Sequence, residues 1–475
     1  MTDQKPRVRV RAYSQPTAYV RSTPVFDAAG TGRRSEGISS GNVGPNVAAL
    51  YNLPRLVRHS RHLARNNPWA KTALRKLTTN VVGTGMRPVS SDKKLQRLFE
   101  VWSEVADADG KLDFYGLQGL VIHSALEGGD AFARLRPRLP EDGLPVPMQV
   151  QLVEGEFCPP TLIRTEPGGN RTAGGLERDL RGRVVAFHMH RQHPNDAMLG
   201  DVSLETVRVP AASVSHVMAP SRCGELRGLP ILTPAIVRLS DLDSYLDAEA
   251  VRKRTAALYG GFITTPGTED DAEVLAGVGA THEDSQLIDP LEPGTFPILP
   301  PGYDVSFSEP ADVGGSFDAY MRVQLRSIAS AVGLTYEQLS GDYSTVTSDR
   351  LFRVALLEFR RLCETVQWSM LKRFCQDVWR WFVDAAYLSG AWEPEPGTTV
   401  EDAYVVRWVA HGWSYLHPVH DVEASIRAMA SNLVAPSEVI AGQGNDPDEV
   451  FAQIAEDRRK LKELGLIQDE PPAAA

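Results

Sequence analysis

Apolar residues return every three or four positions through the Gly- and Pro-free stretch Val346–Leu388, at Ala355, Phe359, Leu362, Val366, Met370, Phe374, Val378, Trp381 and Ala385. This is the spacing of one helical face and predicts a single helix roughly 60 Å long, at about 1.5 Å per residue. Thr347 or Ser348 is placed to cap its first amides, Asp349 complements its dipole and Gly390 supplies a left-handed stop. A second stripe at Phe352, Leu356, Cys363, Leu371, Cys375, Trp379 and Phe382 widens the apolar face. The helix is therefore expected to be buried on two sides, in a core or between subunits.

Earlier in the chain, RNNPWAKTALRKLTTNVVGTG predicts a helix with Asn67 as cap, Pro68 at the first position and Gly83 as stop. Its Arg65, Lys71, Arg75 and Lys76 read as a solvated face. Another helix is expected from Asp92 to about Ala106, with Leu95, Leu98, Phe99, Trp102 and Val105 inward, and a further one from Phe114 to Leu126. After Gly128-Gly129 the period moves toward two. Strands are expected at 131–136, 148–153, 183–190, 206–209 and 214–218.

The segment GELRGLPILTPAIVRLSDLDSYLDAEAVRKRTAALYGG returns to helical spacing: Thr233 as cap, Pro234 at the first helical position, and a narrow stripe at Ile236, Leu239, Leu242, Leu246 and Ala250. Residues 262–310 are rich in Pro and Gly, with short β-like runs at 261–264 and 303–307. A second helix runs from Asp318 to Val332, with Met321, Leu325, Ile328 and Ala329 inward and Gly333 as its stop. Beyond the long helix lie a strand at 403–409, a loop with three histidines and a helical tail opened by Asp446, Pro447 and Glu449. The whole reads as a helix-rich α+β protein.

Composition adds two constraints. The 475 residues, 42% hydrophobic, suffice for two or three domains and a large core. The net charge of −10 is uneven: residues 1–90 carry 15 Lys and Arg against 3 Asp and Glu, or +12, which leaves −22 for the remainder. An acidic body argues against a general nucleic-acid binder but not against DNA passing close by. Four cysteines without a CxxC pair, no bilayer-length apolar run and no signal-like N-terminus imply a reducing, cytosol-like setting without disulfides.

Candidate chemistry is sparse. Gly37-Ile-Ser39-Ser-Gly41 matches a nucleophile elbow in letters only, because TGRRSE precedes it where a buried strand is needed; Ser39 receives no role. His188, His190 and His193 alternate as on one strand face, but no carboxylate or Cys at matching spacing completes a metal site; His411, His417 and His420 sit in what reads as a solvated turn. There is no GxxxxGK[ST] loop, no HExxH and no spaced Cys and His pairs. No cofactor, metal or catalytic residue is assigned.

Four stretches, in this order, resemble the portal proteins of tailed bacteriophages, the lambda-type portal family: RNNPWAKTALRKLTTNVVGTGMRP, GELRGLPILTPAIVRLSDLDSYLDAEAVRKRTAALYGGFIT, IASAVGLTYEQLSGDYSTVTSDR and GNDPDEVFAQIAEDRRKLKELGL. Together they span roughly residues 46–466. The sequence departs from the family at His417-Pro418-Val-His420-Asp421, where a DPxKE-like run is usual.

The resemblance implies a portal-type subunit with wing, stem, clip and crown regions, assembling into a ring of usually twelve copies around a central channel. Its regions map as a mobile basic arm at 1–46, wing at 47–230, stem helices at 231–261 and 317–333 around a clip at 262–316, a tunnel-loop region at 334–347, a long wing and crown helix at 348–390 and a crown at 391–475. Ile236, Leu239, Leu242, Leu246 and Ala250 then lie on a stem helix. Ser340, Gly341, Asp342, Tyr343, Ser344, Thr345 and Thr347 form a loop facing double-stranded DNA, whose lack of Lys and Arg suits non-specific sliding. The implied partners are other copies of the chain, the terminase large subunit, the major capsid or scaffold protein, head–tail connectors and DNA, with no membrane. The implied location is the virion, and the host cytoplasm during assembly. A metal-dependent nuclease of the packaging apparatus and a generic oligomeric adaptor are the alternatives.

Overall fold

The computed structural model describes residues 43–196, 198, 204–258, 262–264, 304–306, 314–344 and 346–466. Most of the predicted arm, with its GxSxG match, and most of the predicted clip lie outside the described residues. Helices α1 (Pro45–Asn66) and α2 (Pro68–Val82) meet at Asn67. The Asn67 side chain accepts the Ala70 amide at 2.9 Å and donates to Asp243 at 2.8 Å, and Gly83 ends α2 at φ +56°, as its sequence predicts.

A short strand β1 (Arg87–Val89) leads to α3 (Lys93–Ser103), where the Asp92 carboxylate accepts the Lys94 and Leu95 amides at 2.8 and 3.1 Å. This helix stops three residues before Ala106, and Val105 is exposed rather than inward. The cause is a competing partner: Ala106 and Ala108 exchange backbone hydrogen bonds with Val150, pulling the chain out of helical register. Helix α4 (Phe114–Gly128) follows as predicted.

Two antiparallel sheets form the β part. β2 (Asp130–Pro137) lies between β3 (Met148–Glu154) and β9 (Val214–Met218). The second sheet runs β4 (Ile163–Thr165), β5 (Arg171–Ala173), β6 (Leu176–Arg178), β7 (Val184–His190), β8 (Thr206–Pro210) in sequential order. Every strand expected between 131 and 218 is present, whereas β4, β5 and β6, three residues each, are too short to carry an alternation. The predicted strand at 403–409 shrinks to β12 (Arg407–Val409), paired with β1. Residues 402–404 instead make a tight helical turn, held by the Thr399 amide on Asp402 at 2.8 Å and by Trp379 Nε1 on the Ala403 carbonyl at 2.9 Å.

The long helix is α8 (Asp349–Val366), a wide π turn at Gln367–Leu371 and α9 (Lys372–Leu388), ended by Gly390 at φ +72°. Ser348 occupies the cap position without a side-chain hydrogen bond. Two-sided burial holds for α9: Phe374, Trp379 and Phe382 join Phe99, Trp102 and Phe114 in one aromatic core, with centroids 5.1–6.1 Å apart. Such pairs each add about 0.5–1.5 kcal/mol beyond the area they bury. Burial on two sides fails for α8, in which Phe359 and Cys363 alone are fully buried and Leu351, Val354 and Leu357 face out. The physical reason is that α9 crosses the β2–β3–β9 sheet, while α8 packs chiefly on α2.

Asp130 and Arg227 tie these layers together, each 1% exposed. Both Arg227 Nε and Nη2 donate to the Asp130 carboxylate, Nη1 to the carbonyls of Cys158 (2.7 Å) and Gly174 (3.0 Å), and Nη2 also to Gly155 (2.8 Å). Burial pushes the Asp130 carboxyl up, but the Arg227 charge and the hydrogen bonds from His216 and Arg227 outweigh it and hold the group well below the usual carboxylate range. Burial lowers the His216 imidazole, and it pushes the Cys158 thiol beside Arg227 up to about 12.

Removing either partner strands a buried charge, so Arg227→Met and Asp130→Asn should each cost about 3–5 kcal/mol in urea unfolding. Because the folded pKa of Asp130 is depressed, its contribution is fully present above the unfolded value near 3.8 and is lost as pH falls below it. Wild-type stability should therefore drop on acidification below about pH 4 more steeply than that of Asp130→Asn. Parallel curves would show that the pair contributes no pH-dependent stability.

Candidate functional site

The two expected stem helices form an antiparallel pair, α5 (Ile236–Leu258) and α6 (Gly314–Val332). α5 begins later than Thr233 and Pro234 suggest: the Thr233 hydroxyl donates to the Pro230 carbonyl at 2.6 Å instead of capping, and residues 231–235 form turns. α6 begins earlier than Asp318. Tyr245 packs on Phe317 and Tyr320, with centroids 6.1 and 4.7 Å away, the Lys253 ammonium lies over the Phe317 ring at 5.1 Å, and Arg238 donates to Gln324 at 3.4 Å. Beyond the pair, β10 (Phe262–Thr264) and β11 (Asp304–Ser306) pair antiparallel, so both short β-like runs of the excursion are strands.

Burial declines along the predicted α5 stripe. Leu239 and Leu242 are fully buried, while Ile236, Leu246 and Ala250 are partly buried. The opposite faces carry Val237 at 69%, Val251 at 58% and Val323 at 61% exposure. These helices leave the core with apolar surface that the described chain does not cover.

The loop ahead of α8 is ordered by its own polar groups. In the short helix α7 (Tyr336–Ser340), Thr335 and Gln338 cap each other, at 3.2 Å from the Gln338 amide and 3.0 Å from the Thr335 amide. Gly341, at φ +74°, turns the chain, and its amide donates to the Glu337 carbonyl at 2.9 Å. Asp342 then accepts the Ser344 hydroxyl (2.5 Å), the Ser344 amide (3.0 Å) and the Tyr336 hydroxyl (3.0 Å), while Ser340 Oγ accepts the Asp342 amide at 3.1 Å. These bonds, that of the Ser344 hydroxyl foremost, hold the Asp342 carboxyl below its ordinary value. Tyr343 is half exposed and meets Phe352 edge-on at 5.7 Å; Thr347 is exposed, and Thr345 lies outside the described residues.

Reading the loop by itself misses its neighbours. A groove of about 370 Å³ beside it is lined by Tyr343, Gln338 and Phe352 together with Arg75, Lys76 and Thr79 of α2. The absence of Lys and Arg within the loop therefore does not describe its surroundings. The signal was present in the α2 face, but linking it to residue 343 requires the α2 contacts with α7 and α8.

The histidines do not form the clusters their spacing suggests. His188 is buried 3.2 Å from Glu166 and from Glu177, and His193 lies 3.2 Å from Glu154. The carboxylates absent from the local sequence thus arrive from other segments, but guanidinium groups already neutralise them. Arg208 and Arg164 take Glu177 and Glu166 at 2.7 and 2.6 Å, and Arg61 takes Glu154 at 2.9 Å and also Glu156. Hydrogen bonds, from Arg208 first, hold the Glu177 carboxyl down to about 2. His411 is no solvated turn: it packs on Trp413 at 4.9 Å and occupies the space a side chain at Gly83 would need. His417 precedes helix α10 (Pro418–Ala430) and bonds Asp349 at 2.9 Å, while Asp421 accepts Arg353 at 2.8 Å, so the departing HPVHD run fastens α10 to α8.

A helix-rich α+β body, an antiparallel helix pair leaving it with exposed apolar surface and a self-bonded loop beside a long helix are the features of a subunit built to assemble. A family model described as phage portal protein, lambda family, matches residues 31–367, and the chain belongs to that family. It is 24% identical over 433 residues to the probable portal protein of Halomonas phage phiHAP-1, covering 86% of this chain and 81% of that one. With portal protein B of Escherichia phage lambda it shares 20% identity over 284 residues, 56% of this chain and 53% of that one. The fold is similar to a chain from the neck of an empty gene transfer agent (GTA) particle, with a TM-score of 0.51 and 15% identity over 88% of this chain and 99% of that one. The function is that of a phage portal protein, a structural role.

Asp342→Asn should speed hydrogen exchange of the Ser344 amide while changing global stability by less than about 1 kcal/mol, because the bonds it weakens are local and exposed. With a depressed folded pKa, the wild-type loop should hold its protection above pH 4 and lose it as pH falls through the carboxyl titration. Unchanged exchange in the variant would show that Asp342 does not order this loop.

Proposed function

We propose that the chain forms a ring of about twelve copies at one capsid vertex, joined in part through α5 and α6, with a channel through which double-stranded DNA is packaged and later released. The observation that carries this is the outward-facing apolar surface of the helix pair: Val237, Val251 and Val323 remain exposed on helices whose other faces are anchored in the core. A neighbouring copy supplies the missing burial. In this reading 231–261 and 317–333 are the stem, 262–316 the clip facing the terminase large subunit, 334–347 the channel loop, and 391–475 the crown. Contacts with capsid or scaffold protein and with head–tail connectors fall on the remaining surface. The assembled copies reside in the virion after forming in the host cytoplasm, and the chain acts without a cofactor.

Native mass measurement should give about twelve copies of 52.0 kDa, and a clean monomer at assembly concentration would count against the ring. Val251→Asp, on the exposed face of α5, should impair assembly more than monomer folding; equal loss of both would remove α5 from the interface. Ser344→Lys, on the exposed loop, should leave the ring intact yet slow packaging at low salt, because each copy gains a phosphate contact. Wild-type packaging rates in intact rings would move the DNA path away from 340–347.

A further inference from the structure

Across α1 and α2, residues 45–82 contain seven Lys and Arg and no Asp or Glu. Arg61 turns inward onto Glu154 and Glu156. The other six, Arg55, Arg58, Arg65, Lys71, Arg75 and Lys76, form no ion pair among the described residues; all are exposed except Lys76, which is partly covered. On helices that also carry acidic residues some exposed cations have partners one turn away, as in Arg322–Asp318 at 3.0 Å, Arg427–Glu423 at 2.8 Å and Lys460–Glu456 at 2.8 Å. What sets α1 and α2 apart is that neither helix carries an acidic residue of its own.

We propose that the solvent face of the α1–α2 corner binds the phosphate backbone of duplex DNA, adding to any contact made by the loop at 340–347. Arg55, Arg58 and Arg65, with His62, lie at positions i, i+3, i+10 and i+7, within one quarter of the helix circumference. They span about 15 Å of axis, a length over which a duplex presents about nine phosphate charges. Around the corner at Asn67, Lys71 and Arg75 continue one turn apart, and Arg75 and Lys76 end in the groove beside Tyr343. Asn52, His59, Asn66 and Thr79 supply exposed polar groups between the cations. From residue 52 to 79 α1 and α2 themselves expose no large hydrophobic side chain, although Asn52, Arg55, His59 and His62 border the groove that holds Ile236 and Val237 of α5; the cations of Arg58, Arg65, Lys71, Arg75 and Lys76 lie outside that groove. Nothing in the arrangement reads bases, so the binding is independent of sequence.

The test measures affinity of the purified full chain for a short linear duplex of arbitrary sequence as a function of salt, with native mass recorded alongside. The wild type should give a log–log slope of about −3 to −5. Arg55→Gln/Arg58→Gln/Arg65→Gln should be shallower by about 2 to 3, at roughly 0.9 per phosphate contact, and Lys71→Gln/Arg75→Gln by about 1 to 2. Gln preserves helix propensity, so unfolding curves should not move; Arg427→Gln/Arg459→Gln, on paired residues of the C-terminal helices, should leave the slope unchanged. A wild-type slope in both α1–α2 variants overturns the proposal, and so does loss of assembly with the slope intact, which would make the face a contact between copies. Absence of a ring in the wild type would count against the portal reading and leave the salt measurement interpretable.

Discussion

A charge pair sealed from water sits where the layers of this protein meet. Asp130 opens β2 directly after α4, and Arg227 ends the β part just before the chain turns into α5. Their union is possible only because Gly129 and Gly228, the adjoining residues, allow two backbones to touch: a Cβ on Gly228 would lie 2.0 Å from the Gly129 carbonyl oxygen. With the backbones this close, one guanidinium satisfies a carboxylate and three carbonyls from the loops around 155, 158 and 174. The Ile231 amide adds a bond to Leu126 at 2.9 Å. The origin of α5 is thus fixed to α4 and to both sheets, and the direction in which the helix pair leaves the body follows from that anchor.

Local signals made much of this legible. Asn67 with Pro68, Asp92, Gly83 and Gly390 act within one turn of their own positions, and the elements they bound appear where the sequence places them. The five longer strands between 130 and 218 carry enough pattern to be read; the three-residue ones do not. What failed depended on a distant partner. Val105 faces out because Val150 competes for the adjacent backbone, Thr233 serves a turn rather than a cap, and the outer half of the long helix packs chiefly on α2. The His188 environment was illegible because its carboxylates come from Glu166 and Glu177 on separate segments.

The candidate loop shows the same division. Its internal order, built on Gly341 and the acceptor oxygens of Asp342, follows from short-range turn chemistry. Its electrostatic setting does not, because Arg75 and Lys76 arrive from more than 250 residues away in the sequence. A chain that is acidic overall places seven Lys and Arg, and no Asp or Glu, on one pair of helices. Long-range potential is set by such placement, not by the net value.

The π turn at Gln367–Leu371 admits one more residue than an α turn, which rotates everything after it by about 100° relative to an unbroken helix. Gln367 stabilises the step by donating to the Val81 carbonyl at 2.8 Å, so it is anchored to α2 rather than left to fray. The long helix is therefore two rods joined end to end, each carrying residues of both apolar stripes visible in the sequence. One is keyed into the aromatic centre and the other is held by α2 and α10. A displacement of the outer rod can be absorbed at this joint as a change of twist, leaving the rings of Phe374, Trp379 and Phe382 in register with their neighbours.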